Sequence, residues 1–253
     1  MDLQQITTID EIIILLEEIV IESIENKDSS GYFAALYQNV TFRIKEGISS
    51  GLFDDGPRLE KLDVIFAKRY LEAYYGYHSS NVISKSWKIA FDTAPRYWPI
   101  VLQHLLMGMN AHINLDLGVA AAETSKGQNL KNLENDFNKI NEILSSLLHE
   151  VENDLSVVWP VLKYILKWTG KIDDYLVDFS MKLARDGAWK FANQLDQASE
   201  NEVETMIAER DRKIVDIVRF ILKPGFIASL TLGVIRITER GSITRKIQSL
   251  RKK

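Results

Sequence analysis

Apolar residues recur at intervals of three and four along almost the whole chain, and this spacing strongly constrains the fold. An α-helix gathers residues spaced in this way on one face, whereas a half-buried strand needs strict alternation. We find no convincing alternating run bounded by hairpin turns, and no internal repeat typical of a solenoid. The pattern predicts an all-α protein, a single bundle of about ten helices with a central apolar helix near 98–123.

Start and stop signals place the individual helices. The capping box Thr8 to Glu11 begins the first helix, Pro57 suits the first turn of the third, and Lys223-Pro224-Gly225 is a sharp stop. Residues 1–222 are predicted to form the bundle domain, and 223–253 a basic helical arm packed on it. The predicted helices cover 8–26, 31–49, 57–77, 82–93, 98–123, 129–155, 158–169, 171–197, 200–222, 226–238 and 242–251.

The composition excludes several kinds of site. The chain has no cysteine, so disulfides, iron–sulfur clusters, thiolate zinc sites and cysteine nucleophiles are excluded. The first twenty residues are acidic, which is the wrong sign for a signal or transit peptide, and we therefore expect a cytoplasmic protein. Neither a P-loop, a GxGxxG, an HExxH nor a GxSxG motif occurs.

Charge is segregated along the chain. Residues 210–253 hold twelve Lys and Arg and three acids, although the whole protein has a net charge of −4. Such an arm could contact an anionic membrane surface or dock on the acidic body of its own chain. Nucleic acid is not expected, because the body is acidic and carries no recognition motif. The apolar stretch 226–237 is too short to span a bilayer; a core helix is its more frequent explanation, and an interfacial helix the alternative.

The segment from Trp98 to Glu123 departs from ordinary core composition, because two polar stripes flank its apolar face. At about 100° per residue, Gln103, Asn110 and Asn114 share one side, and His112, Asp116 and Glu123 the other. Between them lies a face of small residues that would let another helix or a ligand approach closely. Polar groups on such a buried helix must find partners or perform a function.

His112 and Asp116 are the central candidates, because they stand four residues apart. This spacing lets them hold one divalent cation, or lets the carboxylate orient the imidazole for acid/base chemistry; a structural hydrogen-bond network is the third reading. His104 is about 12 Å along a straight helix from His112, too far to share an ion. Further ligands would have to come from elsewhere, and the candidates are Asp54, Asp55, Asp63, His78, Asp136 and His149.

Two other segments carry candidate residues. Around the third helix, Asp55 can cap its start, and Arg58 or Arg69 could clamp a carboxylate or phosphate, with Asp63 nearby; capping and exposed ion pairs are the simpler account. Asp173 and Asp174 are similar to the aspartate-rich helices that bind diphosphate, but no second motif opposes them, and acids also favour a helix start.

Three stretches resemble the Domain of Unknown Function 5995 family, an uncharacterised bacterial family. They are Phe33 to Tyr37 with Val40 and Thr41, Leu62 to Leu71, and above all His104 to Leu117. The likeness runs from about residue 30 to 220. The resemblance implies an all-helical single domain and brings no established activity.

These observations lead to two hypotheses. In the first, the protein is a hydrolase-like enzyme acting on a small, partly apolar substrate by acid/base or metal-assisted chemistry. His112 would be its base or ligand, with Asp116, Asn110, Asn114 and His104 as further catalytic residues. Asp55, Arg58, Asp63 and Arg69 would bind substrate. In the second, it is a non-catalytic helical protein that binds a lipid or another hydrophobic ligand and uses residues 210–253 at a membrane surface.

Overall fold

The chain folds into α-helices in a computed structural model that describes residues 3–140, 143 and 181–251. No strand occurs in those residues, so the all-α prediction is confirmed. The helices are α1 (Ile9–Asn26), α2 (Gly31–Ser49), α3 (Gly56–His78), α4 (Lys85–Thr93), α5 (Val101–Ala111), α6 (Leu117–Thr124), α7 (Met181–Asp196), α8 (Glu200–Leu222), α9 (Phe226–Thr238) and α10 (Ile243–Leu250). Residues 134–140 are helical as well. The predicted helix 158–169 and the candidates His149, Asp173 and Asp174 lie outside the described residues.

Local chemistry explains where several helices begin. The Thr8 hydroxyl accepts from the Glu11 amide, and the Glu11 carboxylate accepts from the Thr8 amide, which completes the predicted capping box. Asp55 caps α3, because its carboxylate accepts from the Arg58 amide at 3.0 Å. Two predicted starts were too early. The helix predicted from 82 begins at Lys85, capped by Ser84, and the one predicted from 98 begins at Val101, because Ile100 is extended.

The central rod consists of α5, a wide turn over His112–Asp116 and α6, and together they contact α2, α3, α4, α7 and α8. The wide turn is π-helical: the Leu117 amide donates to the carbonyl of His112, five residues earlier. The polar stripes predicted for an uninterrupted α-helix are therefore displaced here. Such turns are frequent at functional sites, which draws attention to His112 and Asp116.

Glycines let neighbouring helices approach the rod. A β-carbon on Gly108 would lie 2.4 Å from the Phe33 ring of α2. One on Gly118 would lie 2.9 Å from the carbonyl oxygen of Ala188 in α7. The small-residue face of the rod thus accommodates packed helices, and Phe33 reaches the rod beside His112, with ring centroids 5.7 Å apart.

The two C-terminal helices pack differently. In α10, Lys246, Ile247 and Leu250 are buried, and this helix contacts α1 and α2. Arg251 forms an ion pair with Glu17. In α9, by contrast, one face is buried and the opposite one is exposed. The expectation of an ordinary core helix over 226–237 is therefore right for only one side of α9.

Candidate active site

Asp116 is the centre of a buried polar network at the wide turn. Its Oδ1 accepts from Nε of Arg69 at 2.9 Å, and its Oδ2 accepts from Nε1 of Trp87 at 2.8 Å. Nδ1 of His112 lies 3.2 Å from Oδ2. Burial raises the pKa of Asp116, but Arg69, His112 and Trp87 outweigh burial and leave the pKa below its usual value. Asp116 is therefore an ionised carboxylate held in place from three sides.

His112 is neutral, and its tautomer is set by Asp116. Burial lowers the pKa of His112, and the hydrogen bond to Asp116 only partly opposes this. A neutral ring beside a carboxylate carries its proton on Nδ1, which donates to Asp116 and leaves a lone pair on Nε2. Nε2 is buried and has no partner among the described residues. A general base must be able to accept a proton, and this neutral tautomer can do so at Nε2.

Aromatic rings surround the imidazole. Phe66 stacks on His112 with centroids 3.6 Å apart and planes at 8°, and Tyr37 meets it edge-on at 4.5 Å. Phe33 and Trp87 are also within 6 Å. These surroundings hold the ring rigidly and favour its uncharged form, because apolar neighbours cannot solvate an imidazolium.

Asp63 is a second unusual group in the same part of the core. It lies one helical turn before Phe66 in α3 and is 2% exposed, and neither of its carboxyl oxygens has a partner among the described residues. Burial, with a smaller effect from Glu60, raises the pKa of Asp63 to about 8. Asp63 is therefore protonated at neutral pH and can donate a proton.

Tyr37 connects these groups. Its ring meets the His112 ring edge-on, and its pKa is raised first by burial and then by Asp63 and Asp116. A hydrogen bond with the Thr41 side chain opposes this rise by a smaller amount. Three polar atoms of the other two groups are unsatisfied among the described residues: Nε2 of His112 and both oxygens of Asp63. An unpaired buried group costs about 1–3 kcal/mol, so a small polar molecule would gain much by pairing with them.

A divalent metal does not fit His112 and Asp116. Both Asp116 oxygens already accept hydrogen bonds, one of them from the cationic Arg69, and Nδ1 of His112 is directed at Asp116 rather than at a shared point. No cluster of three or more His, Asp or Glu side chains that could hold a metal occurs within residues 3–140, 143 and 181–251. The geometry of this pair favours an Asp–His hydrogen bond over a shared cation.

Asn110 and Asn114 do not reach this site. Nδ2 of Asn110 donates to the Ile214 carbonyl in α8 at 3.1 Å, and Asn114 donates to Asn110. Gln103, on the same stripe, donates to the carbonyl of Ile221 at 2.7 Å. The first polar stripe therefore joins the rod to α8, because buried amides need partners and helix carbonyls offer them. The hydrogen bonds of both asparagines among the described residues are structural, and their catalytic role stays a prediction.

Asp55 and Arg58 are also far from His112 and Asp116. Asp136, which is fully buried, accepts from the amides of Asp54 and Asp55 at 2.7 and 3.0 Å, and Arg58 lies 3.5 Å from it. This cluster fixes the N-terminus of α3 to residues 134–140. Arg58 precedes Arg69 by eleven residues, which is about 16 Å along the helix. Of the four predicted substrate-binding residues, Arg69 binds Asp116, and Asp63 lies one helical turn from Phe66, which stacks on His112.

His104 lies in a separate cavity. This cavity has a volume of about 850 Å³, and its walls include Tyr32, Phe91, Tyr97, His104, Arg236 and Lys246. Burial lowers the pKa of His104 to about 4, so the side chain is neutral. His78 is distant as well, because it ends α3 and packs on Tyr74 with ring centroids 4.5 Å apart. The structure thus separates His104 from the His112 site.

Sequence reasoning missed Trp87 and Tyr37 as members of the site. Trp87 is 29 residues from Asp116, and no local spacing connects them. The one available signal was the resemblance, because Phe33, Tyr37, Phe66 and Arg69 all belong to the stretches that carried it. Those stretches meet around His112 in the fold.

Comparison with known proteins identifies the family of this chain and gives no related protein of known activity. No curated protein matches the chain. No solved structure matches it either. The model of the Family of unknown function (DUF5995) matches residues 9–224, a range that contains every member of the buried network described above. The chain therefore belongs to this family.

Proposed function

We propose that this protein is an enzyme that performs acid/base chemistry, hydrolase-like, on a small and partly apolar substrate at His112. The supporting observation is the pairing of two groups with opposite tasks. His112 is a neutral base whose lone pair on Nε2 has no partner among the described residues. Asp63 is a buried acid that keeps its proton to a pH of about 8. Enzymes place such pairs where one proton is removed and another is delivered.

Each neighbour has a task in this proposal. Nε2 of His112 takes a proton from water or from the substrate, and Asp63 gives one to the leaving group. Asp116 orients the imidazole and stabilises the imidazolium that forms, while Arg69 and Trp87 hold Asp116. The rings of Phe66 and Tyr37 suit an apolar part of the substrate. His112 is only 2% exposed, so substrate entry requires a covering side chain or helix to move.

The test combines a protonation state with a rate. Nitrogen NMR of the imidazoles reports the His112 tautomer, and we expect Nδ1–H at neutral pH. A panel of p-nitrophenyl esters, phosphates and anilides then supplies substrates, and His112→Gln should slow turnover of any that react by about a hundredfold or more. His104→Gln, on the same rod but in the separate cavity described above, is the matched control. An Nε2–H tautomer, or turnover indifferent to His112→Gln, contradicts the proposal.

The cavity beside His104 supports a second candidate function, the non-catalytic binding of a hydrophobic ligand. Its volume suits a small molecule, and Tyr32, Phe91 and Tyr97 give it an aromatic wall. Binding of a fluorescent fatty acid that is lost in His104→Trp and retained in His112→Gln would favour this function.

A cytoplasmic location remains a prediction. None of the described helices is long and apolar enough to cross a membrane.

A further inference from the structure

Helix α9 presents an apolar face to solvent. Phe226, Leu230, Val234 and Ile237 are 86%, 62%, 50% and 73% exposed, and their spacing places them on one side of the helix. The opposite side is anchored in the core by Leu232 and Ile235, which are 8% and 0% exposed. A helix that is apolar on both sides, with one side packed and the other exposed, is unusual unless the exposed side has a partner.

The face continues onto a neighbouring loop. Tyr97 and Trp98 are 64% and 65% exposed, and the Arg236 guanidinium of α9 lies 4.4 Å from the centroid of the Tyr97 ring. Exposed Tyr and Trp are the residues that favour the interface between water and lipid headgroups, because each combines an apolar ring with a polar edge.

Cations flank this face along the chain, and the face itself carries no acid. Residues 217–238 contain Arg219, Lys223 and Arg236 and no acid. Lys223 is exposed just before the face, and Arg240 is exposed just after it. The next acid, Glu239, has a side chain that is 5% exposed, and it is paired with Arg236 at 2.5 Å and with Lys246 at 2.9 Å. The exposed apolar side chains are therefore flanked by cations.

We propose that α9, with Tyr97 and Trp98, is a docking face for an anionic lipid bilayer. The helix has 13 residues, so it lies in the plane of the interface with its four apolar side chains among the acyl chains. The flanking cations then meet the lipid phosphates and carboxylates, which is the complementarity that an anionic surface provides. The buried Leu232 and Ile235 keep the helix attached to the bundle. This inference is independent of the chemistry at His112.

Co-sedimentation with vesicles tests the proposal on the full chain. The vesicles are phosphatidylcholine alone, or phosphatidylcholine with about 30% phosphatidylserine, at low salt and at roughly 0.3 M salt. We expect binding to the mixed vesicles, weakened by salt, and a blue shift of Trp98 fluorescence that is absent in Trp98→Phe. The double variant Leu230→Ser with Ile237→Ser should lose at least tenfold in affinity.

The matched control is Ile14→Ser with Val82→Ser, which removes two exposed apolar side chains from other surfaces. It should bind vesicles as the wild type does, and circular dichroism should show that both double variants keep their helicity. The proposal is overturned if the wild type ignores the mixed vesicles, or if the two double variants bind alike. It is also overturned if sedimentation velocity shows a dimer that the α9 variant abolishes, because a second copy would then be the partner.

Discussion

At the residue scale, Asp63 makes stability depend on pH in a direction opposite to that of most acids. Its pKa is about 8 in the folded chain, against about 4 for an ordinary aspartate. At a pH below both pKa values, the carboxyl is protonated in the folded and in the unfolded chain. At a pH above both pKa values, it is ionised in each. Between them only the folded state keeps the proton, so unfolding releases one, and stability falls as pH rises.

We therefore expect Asp63→Asn to gain stability relative to the wild type as pH increases from 5 to 8. The difference should grow by roughly 1 kcal/mol per pH unit. Urea unfolding at several pH values measures it. Asp10→Asn, at an exposed acid in α1, is the control. Parallel pH profiles for wild type and Asp63→Asn would show that the carboxyl is ionised in the folded protein.

Residue-level prediction from the sequence succeeded where partners are local. The Thr8–Glu11 box and the Asp55 cap are short-range signals, and both occur. It singled out His112 and Asp116 and left three readings of the pair open, because Arg69 and Trp87, which bind Asp116, are 47 and 29 residues away from it. It also assigned function to Asn110, whose partner is a carbonyl in α8 that no spacing reveals.

At the element scale, close contact between α2 and the rod depends on Gly108. A methyl group there would lie 2.4 Å from the Phe33 ring, whose edge packs near His112. We expect Gly108→Ala to destabilise the protein by about 1–3 kcal/mol and to displace Phe33. Thermal unfolding and the His112 NMR signals measure the two effects.

The control is Gly233→Ala in α9, where an added β-carbon meets nothing within 4 Å. There the better helix propensity of alanine should stabilise the protein by up to about 1 kcal/mol. Equal and small effects of the two substitutions would mean that Phe33 adjusts without cost.

Helix boundaries were largely predictable where a capping residue, Pro or Gly marks them, as at Asp55 before α3 and Gly225 before α9, whereas Ser84 before α4 was not recognised. The π-helical turn was not predictable. None of its five residues is a Gly or Pro that would mark an interruption, and Arg69 in α3 and Trp87 in α4, which bind Asp116, are distant in sequence.

At the scale of the whole molecule, Glu239 links the C-terminal helices to the rod. Its carboxylate accepts from the Val101 amide at the start of α5 and pairs with Arg236 and with the buried Lys246. Removing one partner of a buried charge cluster leaves the others unpaired, which typically costs about 3–5 kcal/mol.

We expect Glu239→Gln to lower the free energy of unfolding by a few kcal/mol, as measured by urea denaturation. Glu204→Gln, at an exposed glutamate of α8, should change it by less than about 0.5 kcal/mol. A Glu239→Gln protein as stable as the wild type would show that the C-terminal helices are held by their apolar contacts alone.

The π-helical turn also sets the rotational phase of the rod. It inserts one extra residue into an otherwise regular helix, so everything after Asp116 is turned by about 100° relative to everything before it. That offset is what lets α5 direct Gln103 and Asn110 at α8 while α6 presents Gly118 to α7. A chain with one residue deleted within 112–116 would recover a regular helix. In that helix α5 and α6 could no longer face α8 and α7 at the same time. In a lineage of such chains, insertions and deletions should therefore be tolerated in the loops and excluded from these five positions.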